Sequence, residues 1–332
     1  MKNISLNHCD TLDYNPSRDG GLPTARLNFR NIPLLAEEGK DKIFQFDEHF
    51  HKFRENKELC REESINKYYQ DMGYDKKGFM TYIIEILKIQ NQKEFTVNLG
   101  SPVLIECHLT GETLAFAPET FAFLPQKSKT KYSKTELDYM DSFDAIAMQV
   151  PEDIILQRFR DDYQDYIGSI HLCAANDWSA ERSINKSMTE VHKRVPYIGK
   201  VITNDQKLVK SITQNGRTFE RTGAINFYTE SFINKHPDNN IIERPIDELL
   251  KGNGTLFFRF ERQTISPLEQ SYFLFTIRTY FCDIKKLEKE NREKLKQSFF
   301  QKAERINAFT SLSSDIKNRE DEFVAWVDAI DN

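Results

Sequence analysis

The sequence has no CxxC pair, no long apolar run and no excess of basic charge, and each absence closes off a class of function. Its five cysteines, at positions 9, 60, 107, 173 and 282, are odd in number and scattered. Disulfide frameworks and cysteine-held clusters need paired or grouped thiols, so reduced cysteines in a cytoplasmic protein are expected. No apolar stretch approaches the roughly 18–20 residues of a membrane span. Met1-Lys2-Asn3 is followed by polar residues instead of the apolar core of a leader peptide. A soluble protein with no membrane partner is therefore expected. Lys and Arg number 46 against 51 Asp and Glu, a net charge of −5, and the isoelectric point is near 5.9. That balance speaks against nucleic acid as a partner, because phosphate-backbone binding needs a basic footprint. The Lys-rich stretch 126–134 is broken by Ser and Thr and reads as a solvated loop. GxSxG, HExxH, Walker and GxGxxG patterns are all missing, which weakens hydrolase, P-loop and Rossmann readings.

What is present is aromatic. Hydrophobic residues make up only 39% of the 332 residues, below the roughly 45–50% usual in globular proteins. Yet 25 Phe and 13 Tyr supply bulky core material that a disordered chain lacks. The length allows one large domain or two small ones.

Residues 1–40 are rich in Asn, Asp, Gly and Pro and read as irregular, with one short strand at 25–29. Residues 43–89 are helical in character; Phe79, Ile83, Ile86 and Leu87 recur at helical spacing. Between 95 and 117 the period changes to that of three short strands. Residues 144–159 fit strand or helix, with Pro151 and the acids after it suggesting a helix start. Residues 167–174 read as a strand. Ser179 then caps a helix carrying Ile184, Met188, Val191 or His192, and Val195 on one face, ended by Pro196. Strand-like material at 217–231 precedes the most convincing pair, 255–265 and 272–282, joined through Ser266-Pro267 as an antiparallel hairpin. A Lys/Glu-rich amphipathic helix at 284–309 follows. The fold class expected is α+β. Strand, helices and three antiparallel strands follow in the order of a PAS-like sheet with a ligand-bearing helix packed on it.

His192 stands three residues before Val195 and four after Met188, on the apolar face of its expected helix. Two readings apply: a proximal ligand for haem iron, or a helix-end histidine donating to a backbone carbonyl. His49-Phe50-His51 reads as a charged turn, since i and i+2 do not share a helix face. His171 and Cys173 share a strand face with no third ligand nearby and read as packing. In the hairpin, Arg259, Glu261 and Gln263 alternate onto one face, and Arg278 and Tyr280 share a face of the partner strand. Cross-strand ion pairing and a polar wall over a cofactor both fit that pattern.

The stretch Phe260-Glu261-Arg262-Gln263-Thr264-Ile265, with Leu268 and Phe275-Thr276-Ile277-Arg278-Thr279-Tyr280, closely resembles a signature of the haem-dependent oxidative N-demethylase alpha-subunit family. Trp178, the run 191–196, Arg221 and Asn226-Phe227 resemble its upstream elements more loosely. Arg194 stands where that family has a first Pro, Phe227 where it has Trp, and the spacing from Arg221 to Asn226 is stretched. The resemblance spans roughly 145–285.

The resemblance implies a PAS-fold domain holding haem b, with His192 as the ligand to the metal. It implies Arg194, Lys200 and Arg262 as cofactor-binding cations, and Arg221, Glu261 and Arg278 as the reactive polar wall; period 2 keeps Glu261 and Arg262 off a common face. It further implies electrons that start at NADPH and arrive through a separate reductase carrying FMN and a 2Fe–2S cluster. Dioxygen and an N-methyl group of a small amine then give formaldehyde and the demethylated amine. Expected divisions are 1–94 as an N-terminal region packing on the core, 95–285 as the haem-binding domain and 286–332 as a C-terminal helical segment. A haem-based sensor or carrier of a small ligand remains the alternative, as does a scaffold that binds an apolar ligand without haem. The sensor is disfavoured because too few residues follow the hairpin for an output domain. The oligomeric state stays open.

Overall fold

A computed structural model describes residues 4, 30–32, 42–126, 130, 132, 136–160, 162, 164–174, 176, 178–193, 210, 216, 218–239, 244–252, 254–268, 272–300 and 311–331. In chain order the elements are β1 (Arg30–Ile32), α1 (Phe50–Tyr68), β2 (Tyr69–Asp71), α2 (Lys76–Gln90), β3 (Phe95–Asn98), β4 (Val103–Cys107) and β5 (Glu112–Phe116). There follow α3 (Ser142–Ala147), β6 (Asp153–Phe159), β7 (Asp165–His171), α4 (Ala180–Ser183), α5 (Met188–His192) and β8 (Thr218–Tyr228). The chain closes with α6 (Ile246–Leu250), β9 (Phe257–Leu268), β10 (Tyr272–Asp283), α7 (Lys289–Phe300), α8 (Ser311–Asn318) and α9 (Glu320–Asp328). The α+β class is as expected. The expected strand at 25–29, the far end of the helix expected at 284–309 and most of the Lys-rich loop lie outside the described residues.

A seven-stranded antiparallel sheet runs in the order β1-β8-β9-β10-β6-β7-β2, and β3-β4-β5 form a separate sheet. The β9–β10 hairpin is its spine. Its strands pair in unbroken register from Tyr272 opposite Leu268 to Asp283 opposite Phe257. The strand runs through Ser266-Pro267, where the sequence suggested a turn. Pro267 pairs with Phe273, and among the described residues no β8 residue pairs with it on the other side, where its missing N–H would be needed.

Two expectations are corrected. Pro151 does not open a helix: the buried run Ile154-Ile155-Leu156 goes into β6, in the interior of the sheet. The helix lies upstream as α3, where Asp141 caps by accepting from the Asp144 amide at 3.0 Å. The helix expected from Ser179 to Val195 is, over its described residues, two short ones; Val195 and Pro196 lie outside them. Asn185 takes a left-handed φ of 61°, which ends α4. A capping box then starts α5, with the Ser187 hydroxyl accepting from the Glu190 amide and Glu190 from the Ser187 amide. His192 thus stands on a separate helix, while Ile184 is the residue that closes α4. The helical region 43–89 is likewise broken by β2, which pairs with β7 at the sheet edge.

The sheet has two covered faces. On one, Ile154, Leu156 and Leu274 join the core of α2, α3 and the smaller sheet, while Phe258, Phe260, Tyr280 and Cys282 pack on α6–α9. On the other, Ile155, Ile170, Ile265, Phe275 and Ile277 meet Ala180 and Met188. One continuous core runs from Ile43 to Leu156 and takes in Leu274.

Candidate functional site

The face that carries α4 and α5 is divided into an apolar and a polar part. Strand alternation puts Ile265, Phe273, Phe275 and Ile277 toward Met188, with Trp178, Ile184, Val191 and Phe219 packed around them. The α5 helix is tied down at its start, where the Met188 amide donates to Asp165 Oδ2 at 2.8 Å. At its end His192 is half-buried, and its ring Nδ1 lies 2.7 Å from the Met188 carbonyl oxygen. A carbonyl only accepts, so Nδ1 carries the proton and Nε2 the lone pair in the neutral ring. The plain expectation for His192, a helix-end histidine donating to a backbone carbonyl, is met.

Further along the hairpin the same face turns polar. Arg259 Nη2 donates to Glu261 Oε1 at 2.8 Å, to Thr279 Oγ1 at 3.2 Å and to the Ala174 carbonyl at 3.4 Å. Gln263 Nε2 donates to Glu261 Oε2 at 2.8 Å. Both Glu261 oxygens are therefore held from either side along the strand. Arg259 is fully buried, and its Nε and Nη1 have no hydrogen-bond partner. Leaving such groups dry costs about 1–3 kcal/mol each. A carboxylate or other acceptor on this face would offset that cost.

The remaining expected residues are dispersed. Arg278 stands opposite Arg262 in the register, not opposite Glu261, so both arginines lie on the other side of the sheet. Arg278 Nη2 donates to Asp47 Oδ2 at 2.8 Å, and its guanidinium lies 3.8 Å from the Phe53 ring centre. Arg262 Nε donates to Glu220 Oε2 at 2.5 Å, and its Nη atoms donate to the carbonyls of Lys42 and Ile43. The single polar wall expected from Arg221, Glu261 and Arg278 is thus split by the hairpin register. The Arg221 backbone pairs with Gln263. Arg194 and Lys200 lie outside the described residues. Arg259 and Gln263 stood beside Glu261 in the alternation pattern that fits ion pairing or a polar wall, and it is they that order Glu261.

Trp178 is partly buried and packs against the apolar patch. His49 and His51 stand at the start of α1, where His51 Nδ1 lies 2.8 Å from the Glu48 carbonyl, as expected of a solvated turn. Glu181, His236 and Asp238 approach within 4.8 Å of one another. His236 Nδ1 accepts the Asp238 amide at 3.2 Å, so Nε2 carries the proton and faces Glu181 Oε1, 3.2 Å away. Asp238 pairs with Arg182 at 2.6 Å. That group is closed by its own hydrogen bonds. A polar groove of about 580 Å³ lies beside α5, bounded by Arg160, Tyr166, Glu190 and Lys193.

The family model described as haem-dependent oxidative N-demethylase, alpha subunit-like, matches residues 35–310. No curated protein matches the chain.

Proposed function

Since the chain belongs to this haem-dependent oxidative N-demethylase alpha-subunit-like family, we propose that it is the haem-binding subunit of an enzyme that oxidatively N-demethylates a small amine. The observation that carries the reading is the joint placement, on one sheet face, of the His192 helix, an apolar platform and the Arg259–Glu261–Gln263 row. Haem b would lie against Ile265, Phe275 and Ile277, with His192 Nε2 as its iron ligand. When bound, the haem supplies the one-electron and dioxygen chemistry.

The chain's own residues then have distinct work. The apolar platform excludes water. Glu261, kept in one orientation by Arg259 and Gln263, is the acceptor for the protonated amine, a charge-assisted hydrogen bond that a small secondary amine makes at neutral pH. Arg259 Nε and Nη1 are buried donors on this face able to receive a haem propionate; Arg278, whose Nε and Nη1 are buried in the same way, lies with Arg262 on the other face, beside Asp47 and Glu220. The order β7-β6-β10-β9-β8 within the sheet supports a PAS-type unit inside the stretch 95–285. The chain has no CxxC or nucleotide motif, in keeping with NADPH, FMN and 2Fe–2S on a separate reductase.

The test is the visible absorption spectrum of protein expressed with a haem precursor, taken oxidised, reduced and reduced under carbon monoxide. A Soret band that moves at each step, followed by formaldehyde release from a secondary methylamine with a reductase, is the expected result. A colourless protein that does not take up added haem overturns the reading. Haem uptake without NADPH-driven formaldehyde release would point instead to a sensor or carrier.

A further inference from the structure

At the end of β7, the packing of α1 and α3 gathers a second set of reactive groups. Cys173 Sγ lies 3.7 Å from His171 Nδ1. His171 Nε2 lies 3.4 Å from Asp144 Oδ1. Asp144 is itself fixed by Arg61 Nη1, 2.8 Å from both carboxylate oxygens, and by the Met140 amide at 2.8 Å. A thiol, an imidazole and a carboxylate in sequence form the arrangement that turns a cysteine into a thiolate nucleophile. His171 and Cys173 come from one strand end, but Asp144 comes from a helix well upstream in the chain.

A second thiol faces the first. Cys60 and Cys173 share one small buried cluster with Tyr68, and Cys60 Sγ lies 3.8 Å from the Cys173 carbonyl oxygen. Asn234 Nδ2 donates to Cys60 Sγ at 3.3 Å and to the Tyr68 hydroxyl at 3.1 Å. Burial alone would push the Cys173 thiol up. The hydrogen bond with Cys60, the His171 imidazolium and the Lys57 ammonium outweigh it and bring the thiol well below its ordinary value. The Cys60 thiol is pushed up by burial and by its bond to Cys173, so it stays protonated. Asp153 also faces this group and accepts the Cys173 and Ala174 amides at 2.7 and 2.8 Å. The asymmetry is that of an attacking thiolate beside a resolving thiol. Cys107 and Cys282 are equally buried.

We propose that Cys173 and Cys60 are a peroxide-reactive thiol pair, with Cys173 the attacking and Cys60 the resolving thiol. The Cys173 thiolate attacks one oxygen of hydrogen peroxide, the O–O bond breaks, and the products are Cys173 sulfenic acid and hydroxide. The Cys60 sulfur then displaces hydroxide from Cys173 as its own proton leaves, giving the disulfide and water. Two electrons pass from the two thiols to peroxide. Both sulfurs are buried, so the small oxidant must reach them through local opening. The backbone supports that: α1 is interrupted at Ser64, whose φ of −172° and ψ of 107° are not helical. Glu62 and Glu63, between Cys60 and that break, are exposed. Cys173, by contrast, is pinned by Asp153. A zinc site is disfavoured, since an amide N–H points at Cys60 Sγ. The proposal is independent of haem binding.

The test is titration of the reduced full-length protein with hydrogen peroxide, with thiol counting after denaturation and non-reducing peptide mapping. The expected outcome is a fall from the five thiols of the sequence to three, with a peptide linking Cys60 and Cys173. Cys60→Ser should stop at a sulfenic acid on Cys173 that dimedone traps, and His171→Asn should slow oxidation at least about tenfold. The wild-type map requires no variant to fold. Oxidation first at Cys9, Cys107 or Cys282, or no linked peptide at tenfold excess of peroxide, overturns the proposal, and so does an unchanged rate in His171→Asn protein that retains its fold.

Discussion

Glu261 and Arg262 are neighbours in the chain and stand back to back through the sheet. Glu261 lies between Arg259 and Gln263 on the face that carries α5, and Arg262 is paired with Glu220 beneath residues 42 and 43. Two charged residues of one motif therefore serve different purposes, one able to meet a ligand and the other holding the N-terminal segment onto the sheet.

Removing Arg262 should cost stability and leave ligand chemistry alone. Arg262→Ala takes the guanidinium from a buried Glu220 and from two carbonyls, and breaking such a pair costs about 3–5 kcal/mol. Urea unfolding should show that loss. The folded fraction should keep the wild-type haem spectrum and amine affinity; a changed spectrum would place Arg262 at the cofactor after all.

Glu261→Gln keeps the shape of the side chain and one acceptor oxygen but removes the charge that meets a protonated amine. Charge-assisted hydrogen bonds contribute about 1.5–3 kcal/mol, so amine affinity, read from the shift of the Soret band, should fall roughly 10–100-fold. An affinity equal to that of the wild type would remove Glu261 from the amine site.

His192→Ala should abolish the haem spectrum, and added imidazole should restore it in part, because the ring itself is then the missing ligand. Met188→Leu preserves the apolar contact and the carbonyl that orients His192, and should leave the spectrum unchanged. A normal spectrum in His192→Ala protein would sink the ligand assignment.

A buried network beneath α1 sets a separate stability test. Arg54 Nε donates to Glu58 Oε1 at 2.8 Å and Nη2 to Glu112 Oε2 at 2.9 Å, while Gln149 and Tyr139 also donate to Glu112. Arg54→Met strands two buried carboxylates and should cost about 3–5 kcal/mol. Adding Glu112→Gln should recover part of it, since one uncompensated charge is then gone. Additive losses in the double variant would argue against coupling across this network.

Acid stability has a defined sign at Asp144. Burial raises its carboxyl, but the His171 hydrogen bond and the Arg61 charge bring it below the ordinary 3.8. A carboxyl depressed in the fold contributes stability that is complete above its unfolded value and is lost as pH falls through the folded one. The melting temperature of the wild type should therefore drop below about pH 4, and Asp144→Asn protein, less stable at neutral pH, should show a shallower acid limb. Parallel limbs would mean that Asp144 carries no such linkage.

The hairpin was legible in the sequence because alternation and aromatic, β-branched composition act locally, and the strands at 95–117 for the same reason. The division of 180–192 into two helices was harder to see. Helical spacing survives a break, and only the left-handed Asn185 together with the Ser187–Glu190 box reveals one. Pro151 misled because the same proline suits a helix start and a bend before a buried strand.

By itself the sequence determined the family, the alternating faces of the hairpin strands and the presence of His192 beside an apolar stripe, since these follow from residue order and period. Only the tertiary structure decided which face of one strand meets which face of its neighbour. Register is set by pairing over the whole hairpin, and a shift of one residue would exchange the two faces. That register placed Arg278 with Arg262 and kept it from Glu261. It is also tertiary packing, through α3, that brought Asp144 to His171 and Cys173 and turned two residues that read as packing into part of a charged cluster.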